Sequence, residues 1–206
     1  MRRYVILPIG LLSIVLFVEL GFIARTGPLP VDTSVAIWFQ THRVSSLVQV
    51  AKVIGAITAP VIIFAVGVML LLFLNYMTRS WYPRDFLPIA LFSSAALISV
   101  ISKWYFDRSR PSVPLAAYYD FTTSYPSAHA IFTATAGSAL LLYVTKRKFL
   151  IFLAVSGITT FIGIVQLYLG IHWISDIAGS GFLSLGLLII FYVIDDWLAE
   201  RETSRL

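Results

Sequence analysis

The sequence predicts an all-α, polytopic membrane protein, a six-transmembrane-helix bundle with an amphipathic segment between spans 1 and 2. Three observations carry that prediction. Of 206 residues, 59% are hydrophobic and only 12% are charged, a balance too apolar to be buried in one soluble core. The apolar residues fall in runs close to the ~20 that a helix needs to cross a hydrocarbon core. No alternating barrel pattern accompanies them, and only helices and closed barrels satisfy their backbone polar groups inside a bilayer.

The chain contains no cysteine, so it has neither a disulfide framework nor a thiolate metal site, and cysteine usage says nothing about compartment. The formal charge of +5 is read as topology, and no nucleic-acid partner is expected.

Met1-Arg2-Arg3 precedes the first apolar run, from about Tyr4 to Ala24. That run is too long for the core of a signal peptide and no A-x-A site closes it, so it is expected to be an uncleaved span. Glu19 lies within it, where a carboxylate must pair, protonate or reach the interface. From Arg25 to Ala59 the pattern is mixed: GPLP breaks the helix, and apolar residues then recur at helical spacing among polar ones, which suits a segment lying on the membrane or beside the bundle. His42 falls here, in no motif. The second span runs from about Pro60 to Tyr76, and MTRSWYPRD makes a basic, aromatic interfacial loop.

The third span runs from about Phe86 to Ile101 and ends at Lys103. The long polar connection from Tyr105 to Tyr125 has the length and composition of a functional loop. The fourth span starts at His129 and reaches about Val144, the fifth covers about Phe149 to Leu169, and the sixth runs from near Ile177 to Ile194, ahead of a polar tail. The whole chain, 1–206, reads as one integral membrane domain.

Six spans place both termini on one face, with Arg2, Arg3, Arg79, Arg84, Lys146, Arg147, Lys148, Arg201 and Arg205. The opposite face holds Arg25, Arg43, Lys52, Lys103, Arg108 and Arg110. The positive-inside rule then puts the termini in the cytoplasm, within the cell membrane, and turns the second face outward.

Three polar islands fall on that outer face. In KWYFDRSRP, Lys103 and Arg110 are seven residues apart, so both cations lie on one helix face if the third span continues that far before Pro111 stops it. Two such cations make an anion clamp, or a basic anchor for lipid head groups. Arg108 joins them only if the chain has already become extended. At Pro126-Ser127-Ala128-His129 a breaker and a small hydroxyl open the fourth span. Free backbone N–H groups and a Ser127 cap there make an anion seat, with His129 placed to donate a proton. His172 and Asp176 are four residues apart at the start of the sixth span. The carboxylate can fix the imidazole tautomer and leave the other ring nitrogen nucleophilic, or simply pair an interfacial histidine.

Together these residues resemble the type 2 phosphatidic acid phosphatase superfamily, which includes vanadium haloperoxidases and glucose-6-phosphatase-like enzymes. Its signature is K-x6-R-P, then P-S-G-H, then S-R-x5-H-x3-D. Lys103 to Pro111 completes the first motif. Pro126-Ser127-Ala128-His129 matches the second with Ala for Gly. The third keeps Tyr168, Gly170, His172 and Asp176, with Val165-Gln166 in place of Ser-Arg. The resemblance implies metal-independent hydrolysis of a phosphomonoester or pyrophosphate on a membrane lipid, of the phosphatidic acid, phosphatidylglycerophosphate or undecaprenyl pyrophosphate class, with no cofactor. It implies that His172 forms a phosphohistidine, that Asp176 orients it, and that His129 protonates the leaving group. Lys103, Arg110, Ser127, Ala128, Arg108 and Gln166 would surround the phosphate.

Gln166 stands where the family carries an arginine clamp, and losing one charge-assisted contact costs about two to three decades in rate. A second reading therefore follows, a catalytically impaired relative that binds or transports a phospholipid. A third is a hydrolase with a metal on His129, His172 and Asp176. Oligomeric state is not encoded in any of these patterns; the glycines of the last spans suit close helix approach within one bundle or between two.

Overall fold

The computed structural model describes residues 2–78, 82–112, 123–143 and 146–203, without the side chains of residues 2–4, 78, 83 and 203. Arg79, Arg205 and the middle of the Tyr105–Tyr125 connection lie outside the described residues. Among the described residues the regular structure is entirely helical: α1 (Arg2–Arg25), α2 (Pro30–Thr41), α3 (Ser45–Ile57), α4 (Pro60–Thr78), a 3-10 turn at Pro83–Phe86, α5 (Leu87–Phe106), α6 (Ala128–Tyr143), α7 (Lys148–Leu169) and α8 (Ile174–Thr203).

Five of these helices, α1, α4, α5, α7 and α8, are long and apolar enough to cross a membrane. The outward faces of these helices are apolar, as in Leu12, Met69, Leu97 and Phe161, which suits a solvent of lipid. The expected fourth span, α6, has only 16 residues. At 1.5 Å per residue that is about 24 Å, short of a ~30 Å hydrocarbon core. Nine of those 16 residues are buried, because α6 packs against α4, α5, α7 and α8 as the central post of the bundle.

The amphipathic segment folds as two helices, α2 and α3, which turn at His42–Val44 and pack on α7, with α2 also reaching α8. A tether fixes their corner. Arg43 Nε donates to the Tyr168 carbonyl at 3.1 Å, and the Tyr168 hydroxyl accepts from Val44 N–H at 2.8 Å. Removal from water holds the Arg43 guanidinium below its ordinary pKa. The outer faces of the pair stay apolar, with Ile37, Trp38, Leu47 and Val53 exposed.

Helix α1 lies along α8 through small residues. A Cβ at Gly186 would sit 3.0 Å from the Gly10 carbonyl oxygen and closer still to Ile14. Glycine is therefore what allows the two backbones to approach. Beyond that contact the core is aromatic. Phe17, Phe106 and Tyr125 stack and cross edge to face, and the Tyr125 hydroxyl donates to the Phe17 carbonyl at 2.5 Å.

Two helix ends differ from the sequence-based expectation. Helix α5 runs past Ile101 to Phe106 and stops there because Asp107 is left-handed, with φ 43°. Helix α8 runs to Thr203, nine residues past Ile194, because Asp195 is fixed by a bidentate ion pair with Arg84, whose second bond measures 3.2 Å. The intervening Ala, Glu and Arg residues are strong helix formers.

Candidate active site

The three polar islands converge at one end of the bundle, where α5 and α7 end and α6 and α8 begin. Between α4, α5 and α6 lies a cleft of about 860 Å³. Its polar end is formed by Lys103, Arg110, Ala128, His129 and His172, and its remaining walls include Val61, Phe64, Leu97, Val100 and Phe132. Val61, Leu97 and Val100 are 61–72% exposed, so the cleft opens sideways through the helix wall.

Lys103 and Arg110 meet by a route other than helical periodicity. Since α5 ends at Phe106, Arg110 is carried back by a non-helical segment that pairs with residues 123–124: Ser124 N–H donates to the Arg108 carbonyl at 2.7 Å. Lys103 Nζ donates to the Thr123 carbonyl at 2.7 Å, while the Thr123 hydroxyl returns a bond to the Lys103 carbonyl at 2.8 Å. Arg110 Nη1 reaches the Ile171 carbonyl at 2.5 Å. Both side chains are thereby held at the cleft by main-chain oxygens.

A cis peptide joins Tyr125 to Pro126 and leads into the second island. Ser127 is buried at the mouth of α6; its hydroxyl accepts a long bond from Ala130 N–H at 3.5 Å, and its own N–H donates to Ser180 Oγ at 3.0 Å. His129, in the first turn of α6, lines the cleft, and its Nε2 is buried with no hydrogen-bond partner among the described residues. The His129 ring faces the ring of His172, with centroids 6.5 Å apart at 72°.

His172 follows a helix stop that needs glycine. Gly170 caps α7 at φ 69°, a left-handed position that disfavours a Cβ. Four residues later α8 starts, and Asp176 in its first turn reaches back so that Oδ2 lies 3.2 Å from His172 Nδ1. With the carboxylate as acceptor, Nδ1 carries the hydrogen and Nε2 keeps its lone pair. Burial, reinforced by Arg110 and Lys103 and opposed by Asp176, holds the His172 pKa down at about 3, so the ring is neutral.

Asp176 is itself saturated. Its Oδ2 also accepts from Trp173 N–H at 2.8 Å and from the Ser124 hydroxyl, and Oδ1 accepts from Arg108 Nη1 at 2.5 Å. Arg108 therefore serves the carboxylate from below. It is 2% exposed and absent from the cleft lining, although its sequence position grouped it with the phosphate clamp. Gln166 is also placed apart from the cleft: it is fully buried in α7, and neither amide atom has a hydrogen-bond partner among the described residues. Among the described residues, no group of three or more His, Cys, Asp or Glu side chains is arranged to hold a metal ion.

Sequence reasoning missed Asp32, Ser124, Ser175 and Ser180. Asp32 of α2 accepts from Arg108 Nη2 at 2.6 Å and from the Ser175 hydroxyl at 2.7 Å. Its only signal in the sequence was an acid near a helix start, an ordinary feature.

The geometry thus presents a neutral, oriented imidazole opposite a second one, beside two cations and a helix N-terminus. That set can bind a phosphoryl group, attack it and exchange a proton with its leaving group.

The PAP2 superfamily model matches residues 86–200, which include every site residue named from Lys103 to Asp176. The chain is 30% identical over 115 residues to phosphatidylglycerophosphatase B of Bacillus subtilis (strain 168), an alignment covering 52% of this chain and 55% of that protein. The match therefore spans about half of that relative's length. Its fold is similar to the crystal structure of a transmembrane PAP2-type phosphatidylglycerolphosphate phosphatase from Bacillus subtilis, with a TM-score of 0.72 and 21% identity across 93% of this chain and 96% of that one.

Proposed function

The chain belongs to the PAP2 superfamily, and on that premise we propose that it is a multi-pass membrane lipid phosphatase acting on a phosphomonoester or pyrophosphate. His172 Nε2 attacks phosphorus, an N–P bond forms as the P–O bond to the lipid breaks, and His129 gives the leaving oxygen its proton. Water then attacks the phosphohistidine, the N–P bond breaks, and His129 takes the proton back. Lys103, Arg110 and the start of α6 at Ser127 and Ala128 stabilise the charge on the transferring group. Asp176 holds the His172 tautomer throughout.

The observation that carries this reading is the two-part character of the cleft. A cationic, two-histidine end continues into an apolar, laterally open wall along α4 and α5. A phosphate joined to acyl or prenyl chains fits both parts, whereas a water-soluble phosphate uses only the first. The 30% identity to phosphatidylglycerophosphatase B makes phosphatidylglycerophosphate the first substrate to try, beside phosphatidic acid and undecaprenyl pyrophosphate. In this reading α6 is the fourth of six spans, short because it is shielded by its neighbours; the whole chain works as one unit, the termini are cytoplasmic, and the cleft faces the outer side.

The test is phosphate release from each lipid in detergent, beside a water-soluble phosphate. Wild type should turn over at least one lipid, and His172→Ala should not; equal turnover in both would overturn the assignment. A second reading, a phospholipid-binding relative with impaired catalysis, is favoured by one observation: Gln166, in place of the arginine of the family motif, brings no charge to the site. Lipid binding without turnover by wild type would select it.

A further inference from the structure

Asp32 lies outside the stretch that matches the family model, on a helix that belongs to the amphipathic segment rather than to a membrane span. It is nonetheless fully buried. A buried carboxylate is tolerated only when its oxygens are filled. Oδ1 accepts from Ser175 N–H at 3.0 Å and from the Ser175 hydroxyl at 2.7 Å, and Oδ2 accepts from Arg108 Nη2 at 2.6 Å and from Leu29 N–H at 2.8 Å. The Leu29 bond is a local cap of α2. The other three go 76 to 143 residues along the chain, and all converge on the immediate supports of Asp176.

One support is Arg108, which gives one guanidinium nitrogen to Asp32 and the other to Asp176 Oδ1. The other is the backbone of Ser175, the residue before Asp176. Its N–H lies in the first turn of α8, where helical donors have no partner in their own helix. Asp32 therefore caps α8 from another helix while it aligns the cation that grips the catalytic carboxylate.

We infer that Asp32 is a positioning residue: it holds Arg108 and the first turn of α8 so that Asp176 keeps its bond to His172. This rests on the phosphohistidine reading for its effect on turnover, but not for its effect on the histidine itself. Without the Asp32 charge, Arg108 has one carboxylate left in a buried setting, and both its nitrogens turn to Asp176. That pulls the carboxylate away from His172 Nδ1.

The chain has three histidines, so a spectrum labelled only at histidine nitrogen resolves each ring. The full-length protein in detergent micelles is compared as wild type, Asp32→Asn, Asp32→Glu and Arg43→Gln, with His172→Gln to assign the signal. Arg43→Gln loosens the α2–α3 corner at Tyr168 without touching Arg108. Wild type and Arg43→Gln should show the hydrogen-bonded His172 Nδ1–H, and Asp32→Asn should lose or shift it. On the lipid substrate, kcat of Asp32→Asn should fall about 10- to 100-fold with KM within about threefold, the scale of a small misplacement of a catalytic group. Asp32→Glu, which keeps the charge but moves it, should keep a hydrogen-bonded Nδ1–H at a shifted position and recover part of kcat; that shift also decides the matter if the asparagine variant does not fold.

An unchanged His172 signal in the Asp32 variants overturns the inference. So does a loss reproduced by Arg43→Gln, which would mean that Asp32 only anchors the α2–α3 pair. A perturbed histidine in a protein whose wild type releases no phosphate would sink the proposed function and leave the positioning role standing.

Discussion

The imidazoles of His129 and His172 meet edge to face at the polar end of the cleft with ring centroids 6.5 Å apart, one with Nε2 lacking a hydrogen-bond partner among the described residues and the other with Nδ1 held by Asp176. In the proposed reaction His172 is the nucleophile and His129 the acid, both lining the same cleft. Removing the acid should then hurt in proportion to how badly the leaving group needs a proton. His129→Ala is expected to lose about 100- to 10,000-fold on a lipid phosphate, whose alkoxide leaves poorly. On an aryl phosphate, whose phenolate leaves unaided, the loss should be much smaller. Equal losses on both substrates would remove His129 from the proton-donor role.

His172 also governs acid stability. Its folded pKa, about 3, is depressed by burial below the ordinary 6.5. Between those values the unfolded chain binds a proton that the folded chain does not, so stability rises with pH across the window and is lost as pH falls from about 6.5 toward 3. Thermal unfolding in detergent should show that slope, and His172→Asn should flatten it. A pH profile identical in the two proteins would contradict the burial of this ring.

Gln166 places two amide atoms that have no hydrogen-bond partner among the described residues in a fully buried site. A buried polar group without a partner costs about 1–3 kcal/mol. Gln166→Met, similar in volume, should raise the unfolding temperature and leave KM for the lipid within about twofold. A tenfold rise in KM would instead assign the amide to the substrate phosphate.

Orientation can be read with cysteine, which the natural chain lacks. Ser112 follows the Lys103–Pro111 island and is exposed; Lys146 precedes α7 at the opposite end and is exposed too. In intact cells a membrane-impermeant maleimide should label Ser112→Cys, and should label Lys146→Cys only after permeabilisation. The reverse pattern would place the cleft on the cytoplasmic face.

Much of this architecture was legible in the sequence because bilayer physics leaves few choices for long apolar runs. Lys103, Arg110, His129 and His172 stand out because charged and ionisable residues at the edges of such runs are conspicuous, and the structure brings these four to one cleft. The placement of Arg108 away from the cleft was hidden for a physical reason. A guanidinium near two other cations reads as part of their clamp until a buried carboxylate from elsewhere claims it, and Asp32 is 76 residues away. The length of α6 was legible, since the span expected from His129 to about Val144 matches Ala128–Tyr143, but its surroundings were not: hydropathy cannot distinguish contact with lipid from contact with other helices, and this helix is surrounded by protein. The non-helical return of Arg110 was hidden as well, since it depends on the left-handed turn at Asp107.

The sideways opening beside Val61, Leu97 and Val100 has a consequence for traffic through the site. Under the proposed activity, a cleft with a cationic end and a greasy flank would sort its products by solubility: inorganic phosphate toward water, the dephosphorylated lipid back into the leaflet from which it came. Turnover in a real membrane should therefore depend on lateral diffusion and on how the leaflet is composed, quantities that a detergent assay averages away.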